Sequence, residues 1–210
     1  MTRMSRTERV ELCDLALQVG ADAPTLCEGW DVKDLVAHLV LREGSPAAAG
    51  IVVPGLSRLT DLETRRMLRR DFAVLVEKLR TGPPKWSPHA VPRLDAILNT
   101  VEFFVHHEDI RRAQDGWQPR DLTERQQRLL WKQLRVAGRG MTRGSGVGVV
   151  AERGDTGERV VLKDAAPMVV VRGLPAELVL FVLGRKDQAR VELVGPEDAV
   201  ARLRGASLGI

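Results

Sequence analysis

The sequence predicts an α+β protein: a helical bundle over residues 1–140, followed by a small α+β unit over 146–210. Three observations predict this. Apolar residues recur at helical spacing in one segment after another up to residue 139. From 139 to 148 the chain reads Arg-Gly-Met-Thr-Arg-Gly-Ser-Gly-Val-Gly, a glycine-dense stretch with the character of a linker. Beyond it the apolar residues come in short β-branched runs.

Taken in order, residues 5–19 place Val10, Cys13, Leu15 and Leu17 at helical spacing and stop at Gly20. Ala21 to Trp30 is a loop, broken by Pro24 and Gly29. Asp31 has the chemistry of an N-cap, and Asp34 sits where the helix dipole favours an acid. The helix 32–43 carries Leu35, Val36, Leu39 and Val40, with His38 among them, and ends at Gly44. Residues 45–56 read as loop. One long amphipathic helix over 58–80 runs into Thr81-Gly82-Pro83-Pro84, and another runs from Pro92 or Arg93 to Gln114. A further helix over 123–139 starts at Thr123. The β-branched runs 147–150, 159–162 and 168–171 follow. The first two of these flank Gly154-Asp155-Thr156-Gly157, a hairpin signal. Helical 175–184, a strand at 190–194 and a short helix at 196–203 complete a β-β-β-α-β-α tail.

Composition excludes several classes. No run of 18 uncharged apolar residues exists, so no membrane span is expected. The opening Met1-Thr-Arg-Met-Ser-Arg has no apolar core behind it, so a cytoplasmic protein is expected rather than a secreted one. Cys13 and Cys27 are too few for a disulfide framework. The formal charge is +4, but six lysines against 26 arginines point to a GC-rich genome rather than to phosphate binding. The densest basic cluster, Arg65 to Arg70, alternates with Met67 and Leu68 as a solvated helix face does. Nucleic acid is therefore not an expected partner. A phosphate loop, a Gly-x-Ser-x-Gly elbow, a Cys-x-x-Cys pair and a dinucleotide fingerprint are all missing.

The chemistry concentrates in one helix. Glu102 and His106 are four residues apart and share a face. Asp95, Asn99, Glu102, His106 and Asp109 extend that face into a polar stripe, opposite Leu94, Ile97, Leu98, Val101, Phe104 and Val105. Such a stripe is either the solvent side of an amphipathic helix or a face turned toward a cation. In this arginine-dense chain no Lys or Arg falls between Arg93 and Arg111, which favours the second reading. His38 offers a third ligand, although a lone histidine among apolar neighbours also reads as a core residue. Two imidazoles and a carboxylate would leave coordination positions open, as in a catalytic rather than a structural zinc site. His107 points about 100° away from His106 and cannot easily share a metal with it. His89, in a Pro-rich loop, reads as a surface residue.

The segment Thr25-Leu-Cys-Glu-Gly-Trp-Asp-Val-Lys-Asp-Leu-Val-Ala-His38-Leu resembles the first metal motif of the mycothiol-dependent maleylpyruvate isomerase family, a branch of the DinB-like metal-binding bundles. Asn99-Thr-Val-Glu102-Phe-Phe-Val-His106-His-Glu-Asp109 resembles the second. The tail is similar to the family's sterol-carrier-like C-terminal domain. The resemblance implies a divalent metal, most often zinc, on His38, Glu102 and His106. It also implies mycothiol, the small thiol of actinobacteria, as cofactor. Asn99 and Asp109 become candidates for orienting the imidazoles, with Asp109 equally able to pair with Arg111 or Arg112. The function expected is transfer or isomerisation of an unidentified small substrate through that thiol. The alternative is a non-catalytic metal-containing module that sequesters an apolar ligand or a protein partner.

Overall fold

The computed structural model describes residues 3–45, 57–84 and 92–209. The expected loop at 45–56 lies outside the described residues from 46 onward, as do Trp86, His89 and the side chain of Asp95. The chain is α+β and divides into two compact units, Met1–Pro119 and Arg120–Ile210.

The first unit is helical: α1 (Arg3–Val19), α2 (Val32–Gly44), α3 (Ser57–Leu68), α4 (Phe72–Thr81) and α5 (Pro92–Arg111). Asp31 caps α2 in a capping box, its side chain accepting from the Asp34 N–H while Asp34 accepts from the Asp31 N–H. The single helix expected over 58–80 is two. Asp71 accepts from the Val74 N–H and starts a new helix, so a local cap outweighs the continuous apolar pattern. Met67 is buried while Arg65, Arg66, Arg69 and Arg70 are exposed, the solvated face that the alternation predicts. Leu12, Leu35, Leu39, Leu75, Leu79, Phe103 and Ile110 meet in the core. Against this core lies a buried ion pair: Arg9 reaches Glu43 at 2.5 and 2.6 Å and donates to the Leu79 carbonyl at 2.9 Å.

The second unit holds α6 (Glu124–Met141), β1 (Gly148–Arg153), β2 (Arg159–Lys163), β3 (Met168–Gly173), α7 (Pro175–Val182), β4 (Glu192–Val194) and α8 (Glu197–Gly205). Thr123 and Gln126 form the capping box of α6. The sequence groups this helix with the bundle, whereas the compact unit begins at Arg120 and includes it. Its contacts explain why. Gln127 accepts from the Ala176 N–H at the start of α7, which has no cap of its own, and Gly138 lies directly against Leu162 of β2.

The sheet order is β2-β1-β3-β4, with β1 and β2 antiparallel across the expected hairpin, β1 and β3 parallel, and β3 and β4 antiparallel. To reach the far side of β1, the chain after β2 passes beneath the start of that strand. A Cβ on Gly148 would stand 2.0 Å from the Ala165 carbonyl oxygen, so only glycine fits there. Among the described residues no helix is long and apolar enough to cross a membrane.

Candidate metal centre

Helices α2 and α5 bring the predicted ligands together. The packing stripe of α2 buries Leu35, Val36, Leu39 and Val40, which leaves His38 at the edge of the interface. On α5, Glu102 and His106 stand one turn apart. Glu102 Oε1 lies 3.3 Å from His106 Nε2 and 3.7 Å from His38 Nε2, and the two imidazole centroids are 5.6 Å apart. One donor atom from each residue falls within 4.8 Å of the other two. The side chains are 19%, 27% and 11% exposed for His38, Glu102 and His106, so the cluster is recessed but reachable. Trp30, at the end of the loop before α2, stands 5.0 Å from the His38 ring.

His106 is oriented from behind. Its Nδ1 lies 2.9 Å from Oδ2 of the fully buried Asp109. A carboxylate can only accept, so the Nδ1 proton faces Asp109 and Nε2 is turned toward Glu102 and His38. Cys27 Sγ donates to the same Asp109 oxygen at 3.2 Å. The loop holding Cys27 is fastened to α5 by the Leu26 N–H, which donates to the Asp109 carbonyl at 3.0 Å. Of the two roles open to Asp109, it takes the one toward His106; Arg111 and Arg112 pair with Glu108 instead.

Asn99 does not touch an imidazole through any of its described bonds. Its Oδ1 accepts from Arg42 Nη1 at 2.5 Å, and its Nδ2 donates to Glu43 Oε1 at 2.8 Å. Arg42 in turn places Nε 3.2 Å from Glu102 Oε1. Sequence reasoning missed Arg42. The signal was available, because Arg42 follows His38 by one helical turn and so shares its face.

Without an ion, the Glu102 carboxylate and the His106 imidazole hold each other in their charged forms. Burial pushes the Glu102 carboxyl up, but hydrogen bonds from His106 and His38, with the charges of His106 and Arg42, hold it well below the usual carboxylate range. Burial pushes His106 down, yet its bonds to Asp109, Cys27 and Glu102 hold it well above the usual imidazole range. His107, as its position on the helix requires, faces elsewhere. Its Nδ1 lies 2.9 Å from Glu8 and 4.0 Å from Glu11, both on α1.

Two crystal structures, of the mycothiol-dependent maleylpyruvate isomerase and of a mutant of it, superpose on this chain with a TM-score of 0.61, covering 92% of each chain at 18% identity. The chain has their fold. By sequence, no family model and no curated protein matches it.

The residues present suit a divalent ion. The three donor atoms come from residue types that ligate zinc, they converge from two helices, and Asp109 stabilises the His106 tautomer that a metal needs.

Proposed function

We propose that this protein is a metal-dependent enzyme, with zinc the expected ion, that uses a low-molecular-weight thiol such as mycothiol to transfer or isomerise a small substrate. The convergence of His38 Nε2, Glu102 Oε1 and His106 Nε2, with His106 held from behind by Asp109, carries the reading. The likeness of the whole fold to mycothiol-dependent isomerase structures supports the thiol.

His38, Glu102 and His106 would hold the ion. Bound there, it would supply a positive charge that keeps a coordinated thiol ionised at neutral pH, or that polarises a substrate carbonyl. The protein's own contribution is orientation and access. Asp109 holds the Nδ1 proton of His106, so Nε2 is the nitrogen that an ion would take in place of its proton. Arg42, anchored by Asn99, places its Nε beside the Glu102 oxygen that faces both imidazoles. Trp30 forms an apolar wall beside His38. Three protein ligands leave coordination positions open, which favours catalysis over a closed structural site and over the reading as a sequestering module.

The test is metal content by mass spectrometry on the purified wild type and on His38→Ala, Glu102→Ala and His106→Ala. The expected result is about one equivalent of a divalent ion in wild type, reduced in all three variants, with mycothiol or a small thiol analogue binding only the loaded form. A wild type that stays empty after incubation with zinc refutes the metal centre. A loaded protein that binds no thiol refutes the thiol chemistry alone.

A further inference from the structure

One oxygen atom in the candidate centre has two cationic claimants. Glu102 Oε1 faces both imidazole Nε2 atoms, at 3.3 and 3.7 Å, and it is also the oxygen that Arg42 Nε approaches at 3.2 Å. A metal on His38, Glu102 and His106 would therefore share a single carboxylate charge with a guanidinium.

Arg42 is held in this position from behind. Its Nη1 donates to Asn99 Oδ1 at 2.5 Å, Asn99 Nδ2 donates to Glu43 Oε1 at 2.8 Å, and Glu43 is paired with buried Arg9 at 2.5 and 2.6 Å. Asn99, Glu43 and Arg9 are all buried, so the chain of bonds from the core to Glu102 runs through groups with little room to move. A side chain recruited only to tie α2 to α5 would not need to end on the one oxygen that points at the ligand nitrogens.

We infer that Arg42 is a positioning residue that tunes the metal centre electrostatically. It trims the affinity for the divalent ion and withdraws charge from the Glu102 oxygen, leaving the bound ion more electron-poor toward a thiol. This inference rests on the metal reading above and adds a sign to it. Removing a cation beside a cation site strengthens ion binding, because the remaining carboxylate charge acts on the ion alone. Removing a purely structural tie weakens binding or leaves it unchanged, because the ligand helices loosen.

The experiment uses the full chain stripped of metal by a chelator, with Co²⁺ as the probe. Affinity is read by competition with a chromophoric chelator, and coordination by the visible absorption of the bound ion. The variants are Arg42→Gln and Arg42→Met, which remove the charge, and Arg42→Lys, which keeps it without the planar fork. Circular dichroism confirms that each is folded, and either neutral variant suffices if the other is not. The neutral variants are expected to bind Co²⁺ about tenfold more tightly than wild type, with Arg42→Lys within about threefold of wild type. A folded neutral variant that binds Co²⁺ no more tightly than wild type overturns the inference, as does Arg42→Lys binding as tightly as the neutral variants. A wild type that binds no Co²⁺ overturns the metal reading itself and this inference with it. Wild-type binding that is lost in His38→Ala leaves the metal reading standing whatever the Arg42 variants do.

Discussion

Replacing Asp109 by Asn changes one oxygen for an NH₂ group of nearly the same size, so packing is conserved while the chemistry behind His106 is inverted. Asp109 Oδ2 receives two bonds, from His106 Nδ1 at 2.9 Å and from Cys27 Sγ at 3.2 Å, and the residue is fully buried. An asparagine amide can present its NH₂ to Nδ1, which moves the imidazole proton to Nε2 and blocks the nitrogen that faces Glu102. Even with the carbonyl presented instead, the negative charge that makes His106 a stronger donor is gone. Losses of this kind cost about 10–100-fold in metal affinity, or about 1.4–2.7 kcal/mol. The assay is chelator competition with zinc on wild type and Asp109→Asn, with urea unfolding in parallel to show that the fold survives. Unchanged zinc affinity in a folded Asp109→Asn protein would refute the reasoning, because the carboxylate would then have no hold on the ligand.

Four further outcomes are expected. Arg9→Met leaves the Glu43 charge buried without its guanidinium and strips the Leu79 carbonyl of a donor, so it should cost about 3–5 kcal/mol in urea unfolding; a loss below 1 kcal/mol would contradict the buried pair. Burial pushes the Cys13 thiol up to about 11 despite nearby Arg80 and Arg9. At pH 8 a thiol reagent should therefore modify Cys27 and reach Cys13 only after unfolding. Because the folded thiol keeps its proton longer than the unfolded one, stability should fall as pH rises from 9 toward 11. Early labelling of Cys13, read by peptide mass spectrometry, would show that it is not sealed in the core. Gly148→Ala drives a Cβ into the Ala165 carbonyl and should cost about 3 kcal/mol or more, measured as a fall in the denaturation midpoint. A midpoint within error of wild type would mean that the crossing beneath β1 is looser than described.

Much of the helical structure was legible because helical periodicity and caps are local. Asp31 and Thr123 start helices where side-chain chemistry says they should, and Glu102 and His106 share a face by arithmetic alone. The break at Asp71 was harder to see, since the apolar pattern runs through it and only the cap interrupts the helix. What the pattern could not supply was partnership between distant residues. Nothing local tells Asp109 to turn to His106 rather than to Arg112, since all three lie on adjoining turns. The choice follows from Glu108 taking both arginines. Cys27 reaches Asp109 only because its loop is tied to α5 by the Leu26 amide. Asn99, read as a support for an imidazole, supports a guanidinium instead, because Arg42 reaches the space beside it.

The glycine-dense stretch before β1 reads as slack, yet in the folded chain part of it is tightly packed. Besides Gly148, a Cβ on Gly144 would stand 2.4 Å from the Ser207 carbonyl oxygen. Gly138, one turn before the end of α6, is already pressed on Leu162. The backbone is helical up to Met141 and again over Arg143–Ser145, so a protease that needs an extended segment would find little to grip there. Dividing the gene at the glycines would take α6 away from the sheet it packs on and bare the apolar helix α7. A cut after Pro119 keeps that layer whole. The stretch that looks like a linker is therefore no boundary.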